Sequence, residues 1–312
     1  MAMVSERYVN IDGISTRYVV GGHGPPVLLI HGLGEFLEVW SRNIAPLSEY
    51  FNVYAVDLPG HGLSGKPLGS YTLDFTSEFI VHFMQALEIE RANLVGHSLG
   101  TVVCLNLATS FPEKINKLVL VDAAGLSKKV PLTYRMATLP VLGHILLGPG
   151  LFVNKKVIRM GLKMKRHFYN PNIVDEAWIN ATYKYLKRPE RNDAILNVIR
   201  SNISLGGMYR EASIADKLHL VKVPTLVVHG AQDRVIPFRY AQLACKLIPN
   251  ARCEVIGECG HSPQIEKAAQ FNNLVTAFLR ESESAEKKLS EDKRQYNQCK
   301  RAEIQIGIKY KA

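Results

Sequence analysis

Six short runs of consecutive apolar residues constrain this chain more than any other feature: VLLI (27–30), VYAV (53–56), NLVG (93–96), KLVLVD (117–122), TLVVHG (225–230) and CEVIG (253–257). Runs apolar at successive positions suit strands covered on both faces, and such strands belong to mostly parallel sheets. Between them lie segments with helical spacing, such as Phe75, Phe79, Phe83 and Leu87, and, after the last run, Phe271, Leu274, Val275 and Phe278. Strand alternating with helix predicts an α/β protein with a doubly wound sheet. Ahead of it, alternating residues at 7–10 and 15–20, joined by Ile-Asp-Gly, predict an antiparallel hairpin.

One interval breaks the alternation. After Asp122 the next run starts at Thr225, about a hundred residues later, which is too long for a loop. Its pattern is helical, with Val153, Val157, Met160 and Met164 on one face and Lys155, Lys156, Arg159, Lys163 and Arg166 on the other. Residues 126–218 therefore read as an inserted helical cap, with 1–125 and 219–280 forming the core. The apolar piece 136–153 carries Pro140, Pro149 and three glycines, which argues against a membrane span and for the lining of a cap or entrance. Residues 281–312 form a charged tail, either a surface helix with a frayed end or a partly disordered segment.

The stretch NLVGHSLGT (93–101) places Ser98 where a buried strand gives way to a helix. Such a turn is tight, and glycines two positions before and after the serine, Gly96 and Gly100, remove side chains that would collide there. The hydroxyl is pushed out at the carboxyl end of the sheet, where ligands enter open α/β folds. A serine hydroxyl needs a base to become a nucleophile, and the base needs a third group to hold its tautomer. His261 (IGECGHSPQ) and Asp233 (VVHGAQDRVIP) each follow a predicted strand, so both belong to the same sheet edge as Ser98. Asp122, at the end of LVLVD, is a rival acid, and Asp233 is preferred to it. The turn HGLG (31–34) follows VLLI and can aim the Leu33 amide at Ser98, while the Leu99 amide, first in its helix, supplies a second oxyanion donor.

Taken together, HGLG, DLPGHGLSGKP (57–67), GHSLG, GAQDRVIP and CGHSP occur in an order and spacing that resembles the α/β-hydrolase-fold serine hydrolases over roughly residues 5–280. The resemblance implies an α/β-hydrolase fold and a helical cap between the sixth and seventh core strands. It implies acyl-enzyme hydrolysis of esters, thioesters, lactones or amides without a cofactor or metal, carboxylesterase being the leading activity. It also makes His31, His61, His97 and Asp57 structural residues that hold loops. Carbon–carbon bond hydrolases, lactonases and perhydrolases share the fold; the first usually carry Gly-Pro-Gly after the His-Gly turn, which HGLGEFLEVW lacks. A ligand receptor that keeps the triad is the alternative of another class.

Composition adds boundaries. The 312 residues carry a net charge of +10, and residues 123–174 contain no acidic residue but nine basic ones, among them Lys129 and Arg135. Such a patch draws an anionic substrate group or an acidic membrane surface, whereas nucleic acid is not expected because no recognition module accompanies it. Five cysteines without a CxxC pair are expected to be reduced and mostly structural, Cys104 packing in the core and Cys259 being the one reactive candidate. No apolar run follows the first charged residues, so the cytoplasm is the expected compartment. Trp40 is expected in the core.

Overall fold

The computed structural model describes residues 4–127, 129–148, 154–164, 167–188 and 190–281. A hairpin opens the fold: β1 (Val4–Ile11) pairs antiparallel with β2 (Ile14–Gly21) across Asp12 and Gly13, both at positive φ. There follow β3 (Pro26–Ile30), α1 (Ile44–Leu47), β4 (Asn52–Val56), α2 (Leu73–Ala86), β5 (Ala92–His97), α3 (Leu99–Ser110) and β6 (Ile115–Val121). After a long insertion come β9 (Thr225–Gly230), α9 (Arg239–Leu247), β10 (Ala251–Ile256), α10 (Pro263–Glu266) and α11 (Ala268–Arg280). The insertion itself holds α4 (Leu132–Ala137), α5 (Pro140–Leu147), α6 (Lys155–Met164), α7 (Glu176–Leu186), α8 (Arg191–Asn202) and a small hairpin, β7 (Ile203–Ser204) with β8 (Gly207–Met208).

The main sheet has the order β1-β2-β4-β3-β5-β6-β9-β10, antiparallel as far as β4 and parallel beyond it. Side chains alternate across each strand, so one run feeds two cores. Leu28 and Ile30 of β3 pack with α2 and α3, whereas Val27 and Leu29 pack on the other face with Trp40, Leu47 and the α11 residues Phe271, Val275 and Phe278. Trp40 is fully buried, as expected.

Register aligns the carboxyl ends of the parallel strands. Ile30 stands beside Val56 and Gly96, His97 beside Val121, Val121 beside Val228, and Ile256 beside Gly230. The loops that begin at His31, Asp57, Ser98, Asp122, Ala231 and Gly257 therefore open along one edge.

Some expectations are corrected. CEVIG belongs to β10, which lies at the sheet edge with Val255 44% exposed, because among the described residues no strand covers its outer side. Val157 and Met160 of α6 do not turn inward; they are 42% and 56% exposed, and Ile158 is the residue that packs. Val153, Lys128, Lys165, Arg166 and the tail beyond Glu281 lie outside the described residues. In the 136–153 piece Val141 and Ile145 face solvent, while Ala137 and Leu147 pack against Ile195, Leu196 and Ile199 of α8. Cys245 and Cys253 are not reduced: α9 runs back along β10, brings their Cα atoms to 6.1 Å, and the two form a disulfide. Among the described residues no helix is long and apolar enough to cross a membrane.

Candidate active site

Ser98 occupies the single residue between β5 and α3 with φ +49° and ψ −114°, a region that L-residues adopt only under strain. Its amide donates to the Val121 carbonyl at 3.0 Å, and its carbonyl accepts from the Thr101 amide and hydroxyl at 3.0 and 2.6 Å. The flanking glycines are sterically required. A Cβ on Gly96 would stand 2.5 Å from the Gly100 carbonyl oxygen, and one on Gly100 would stand 2.2 Å from the Ile30 carbonyl oxygen. Ser98 is partly exposed and faces a cavity of about 400 Å³.

The acid and the imidazole meet. His261 Nδ1 donates to Asp233 Oδ2 at 2.7 Å, and Asp233 Oδ1 accepts from the Val235 and Ile236 amides at 2.7 and 3.0 Å. Burial works to raise the Asp233 carboxyl, but His261 and those two amides outweigh it and hold the group below its ordinary value. Asp122 is the more distant acid, 4.0 Å from His261 Nδ1 and bonded to the Gly230 amide at 2.9 Å. Burial first, then the proximity of Asp233, raises its carboxyl well above the usual range. Asp122 and Asp233 are thus shifted in opposite directions, and the lowered one faces His261.

The predicted oxyanion donors border the same cavity as Ser98. Neither the Leu33 nor the Leu99 amide bonds to another described residue, and Leu99 is the first residue of α3, where amides lack intrahelical acceptors. The HGLG turn lies against Ser98: a Cβ on Gly32 would be 3.1 Å from the Ser98 Cβ. His31 fixes that turn, donating from Nδ1 to the Gly32 carbonyl at 2.8 Å and accepting from the Leu58 amide at 3.1 Å. His61 lies on His31 with ring centroids 5.1 Å apart, and Asp57 accepts from the Leu37 and Leu63 amides at 2.7 and 2.8 Å.

Four participants were not singled out by the sequence. Glu35 accepts from His97 Nδ1 at 2.8 Å and from the Gly32 amide at 2.7 Å, while His97 Nε2 reaches the His261 carbonyl at 2.7 Å. Both His97 partners are acceptors, so the ring donates twice and is an imidazolium. Burial alone would depress it, but Glu35 carries it up to about 9. His167, from the insertion, accepts at its carbonyl from the His261 amide at 2.8 Å and sets its ring edge-on to His261. Burial, then the neighbouring His261, lowers His167 to about 3. Glu266 binds the Gly260 amide at 2.8 Å and the Tyr169 amide at 2.7 Å, tying the histidine loop to the insertion. His229 lies beneath, 3.2 Å from Asp122. Glu35 was legible as the acid that directly follows the HGLG turn, whereas His167 had no signal in so distant a segment.

Cys259 is fully buried and its thiol is pushed up by that burial, so the reactive option for it falls away. Two side-chain groups among the described residues come close enough for a metal ion: His97, Asp122 and His261, and Asp122, His229 and Asp233. In the first, both His97 nitrogens are taken by Glu35 and the His261 carbonyl; in the second, Asp233 is engaged by His261.

A strained serine after a central parallel strand, with an imidazole and carboxylate from later strands, defines the hydrolases built on this sheet. The profile of the α/β hydrolase fold family matches residues 25–268, and the chain belongs to that family. It is 32% identical to a 2-hydroxy-6-oxo-6-(2'-aminophenyl)hexa-2,4-dienoic acid hydrolase of Metapseudomonas resinovorans, over 88% of this chain and 90% of that protein. It is 33% identical to a 2-hydroxymuconate semialdehyde hydrolase of Pseudomonas sp. strain CF600, over 89% of this chain and 95% of that one. Among solved structures, a serine hydrolase involved in carbazole degradation superposes with a TM-score of 0.73 at 30% identity, covering 89% of this chain and 99% of the other. The protein is a hydrolase of this fold.

Proposed function

We propose that the protein is a serine hydrolase that cleaves esters of apolar acyl groups, with Ser98 as nucleophile, His261 as base and acid, and Asp233 as the group that orients His261. The observation that carries this reading is the 2.7 Å hydrogen bond from His261 Nδ1 to Asp233, on the sheet edge where Ser98 opens to a mainly apolar cavity. His261 Nε2 takes the Ser98 proton as Oγ adds to the ester carbonyl. The oxyanion then faces the Leu33 and Leu99 amides, each such donor contributing about 3 kcal/mol. Collapse expels the alkoxide, which leaves as the alcohol with the proton from His261. Water repeats the sequence on the acyl enzyme and releases the acid. Residues 126–218 act as the cap over this site, with Val130 and Tyr134 on one wall of the cavity.

The test is turnover of a short p-nitrophenyl ester together with labelling by a fluorophosphonate. Ser98→Ala is expected to fold and to lose both; a fully active Ser98→Ala protein overturns the assignment. Carbon–carbon bond hydrolysis is the second reading, favoured by the activities named for the two curated relatives. A dienoate turned over faster than any ester in the same assay replaces the first reading by the second.

A further inference from the structure

The cavity that Ser98 faces is apolar over most of its wall, with Val102, Val130, Ile203 and Met208 among its lining residues, but it is not electrically neutral. Lys129 and Arg239 both line it, and none of its lining residues is an aspartate or glutamate. The two cations come from different parts of the chain: Lys129 from the insertion after β6, and Arg239 from the first residue of α9 in the core. Among the described residues neither forms an ion pair with a carboxylate. Arg239 instead lies over the Tyr240 ring at 5.1 Å, and Tyr240 also lines the cavity. A hydrogen bond with Ser127, followed by Arg239 and Lys129, lowers the Tyr240 phenol below its ordinary value, which registers the same positive field. Low-dielectric walls beside a charge of one sign concentrate that field within a cleft.

We propose that Lys129 and Arg239 form an anion subsite, and that the preferred substrate is an ester whose acyl chain ends in a carboxylate distal to the scissile carbonyl. The acyl part is the one committed to this cavity because it stays attached to Ser98 through the reaction; this inference rests on the ester mechanism above. An aliphatic chain occupies the apolar wall, and its terminal carboxylate lies between an ammonium and a guanidinium, the latter able to bind both oxygens at once. Both cations are exposed, so each contributes modestly and is screened by salt.

The experiment compares p-nitrophenyl half-esters of straight-chain dicarboxylic acids with methyl-capped and amine-ended acyl chains of equal length. The half-ester is expected to show kcat/KM about fivefold to tenfold above the capped ester, expressed in KM. That preference shrinks as salt rises from about 0.05 M to about 1 M, where the screening length falls to about 3 Å. Arg239→Glu is expected to reverse the order in favour of the amine-ended ester, and Lys129→Gln to reduce the ratio of half-ester to capped ester. If capped and charged esters are turned over equally, with no salt dependence of the ratio, the subsite is overturned while the serine hydrolase stands. If no ester is turned over and Ser98 resists the fluorophosphonate, the ester mechanism fails. Calorimetry with the free dicarboxylate and its monomethyl ester on Ser98→Ala then decides the subsite independently: tighter binding of the dianion supports it and equal binding overturns it.

Discussion

His97 donates from Nδ1 to Glu35 at 2.8 Å, and with its other nitrogen it holds the His261 carbonyl at 2.7 Å. Because Glu35 also binds the Gly32 amide, this pair links the HGLG turn, the serine turn and the histidine loop. Its pH behaviour follows from the two shifts. His97 rises from 6.5 to about 9, so its contribution is complete below about 6.5 and is lost as pH climbs through 9. Glu35 is lowered from 4.5, so its contribution is present above that value and fades as pH falls toward the folded one. Glu35→Gln is expected to lose about 3 kcal/mol near pH 7 and to flatten the alkaline decline. Denaturant titrations between pH 6 and pH 10 check this, and an unchanged alkaline limb in the variant counts against the ion pair.

Asp233 and Asp122 both face one imidazole nitrogen, His261 Nδ1, the first at 2.7 Å and the second at 4.0 Å. Asp233→Asn removes the charge that steadies the His261 cation and is expected to lower kcat by about 10⁴-fold. Asp122 stands beyond hydrogen-bond reach of the ring, so Asp122→Asn is expected to change kcat by less than about tenfold. The raised Asp122 carboxyl makes its deprotonation unfavourable to the fold, so Asp122→Asn is expected to gain stability relative to wild type as pH rises. Steady-state rates and thermal melts of both variants across pH are the measurement. A larger loss from Asp122→Asn than from Asp233→Asn reverses the assignment.

Two glycines separate steric need from conformational need. At Gly100 a methyl group would meet backbone, 2.2 Å from the Ile30 carbonyl oxygen, which no rotamer can relieve. Gly100→Ala is expected to cost more than about 3 kcal/mol and to be recovered largely as aggregated protein. Gly34 has φ +71°, and a methyl group placed on its Cα would meet nothing within 4 Å, so Gly34→Ala costs only the left-handed strain, about 1–2 kcal/mol. Equal melting temperatures for the two variants would sink this distinction.

What was legible in the sequence follows from the range of the interactions involved. Strands such as 225–230 announce themselves because burial on both faces favours runs of apolar residues, and Ser98, Asp233 and His261 were singled out as candidates because each follows an apolar run. CEVIG looked alike but is an edge strand, since a short apolar run does not say whether a neighbour covers it. The insertion was legible as helical and not as packed: Val157 and Met160 turned out exposed, and the cavity wall is supplied by Val130, Tyr134 and Met208 rather than by the described residues 136–148. Helical periodicity gives a face but not its partner. The Cys245–Cys253 disulfide escaped for a related reason, because it depends on how α9 returns along β10.

The strain at Ser98 gives the last test. A β-hydroxymethyl residue at φ +49° and ψ −114° sits where glycine carries little penalty, and the surrounding contacts hold it there: the Ser98 amide on Val121, its carbonyl on Thr101, and Gly32 against its Cβ. None of those backbone bonds needs the side chain. Ser98→Gly is therefore expected to keep the fold, to lose all ester turnover, and to unfold at a higher temperature, with a gain of about 1 kcal/mol after the extra freedom of an unfolded glycine is subtracted. Ser98→Ala keeps the Cβ and the strain, so its stability should stay near that of the wild type. Paired melts of the two variants isolate the conformational energy stored at Ser98. A Ser98→Gly protein less stable than Ser98→Ala would mean that the turn is relaxed and that its geometry stores nothing for catalysis.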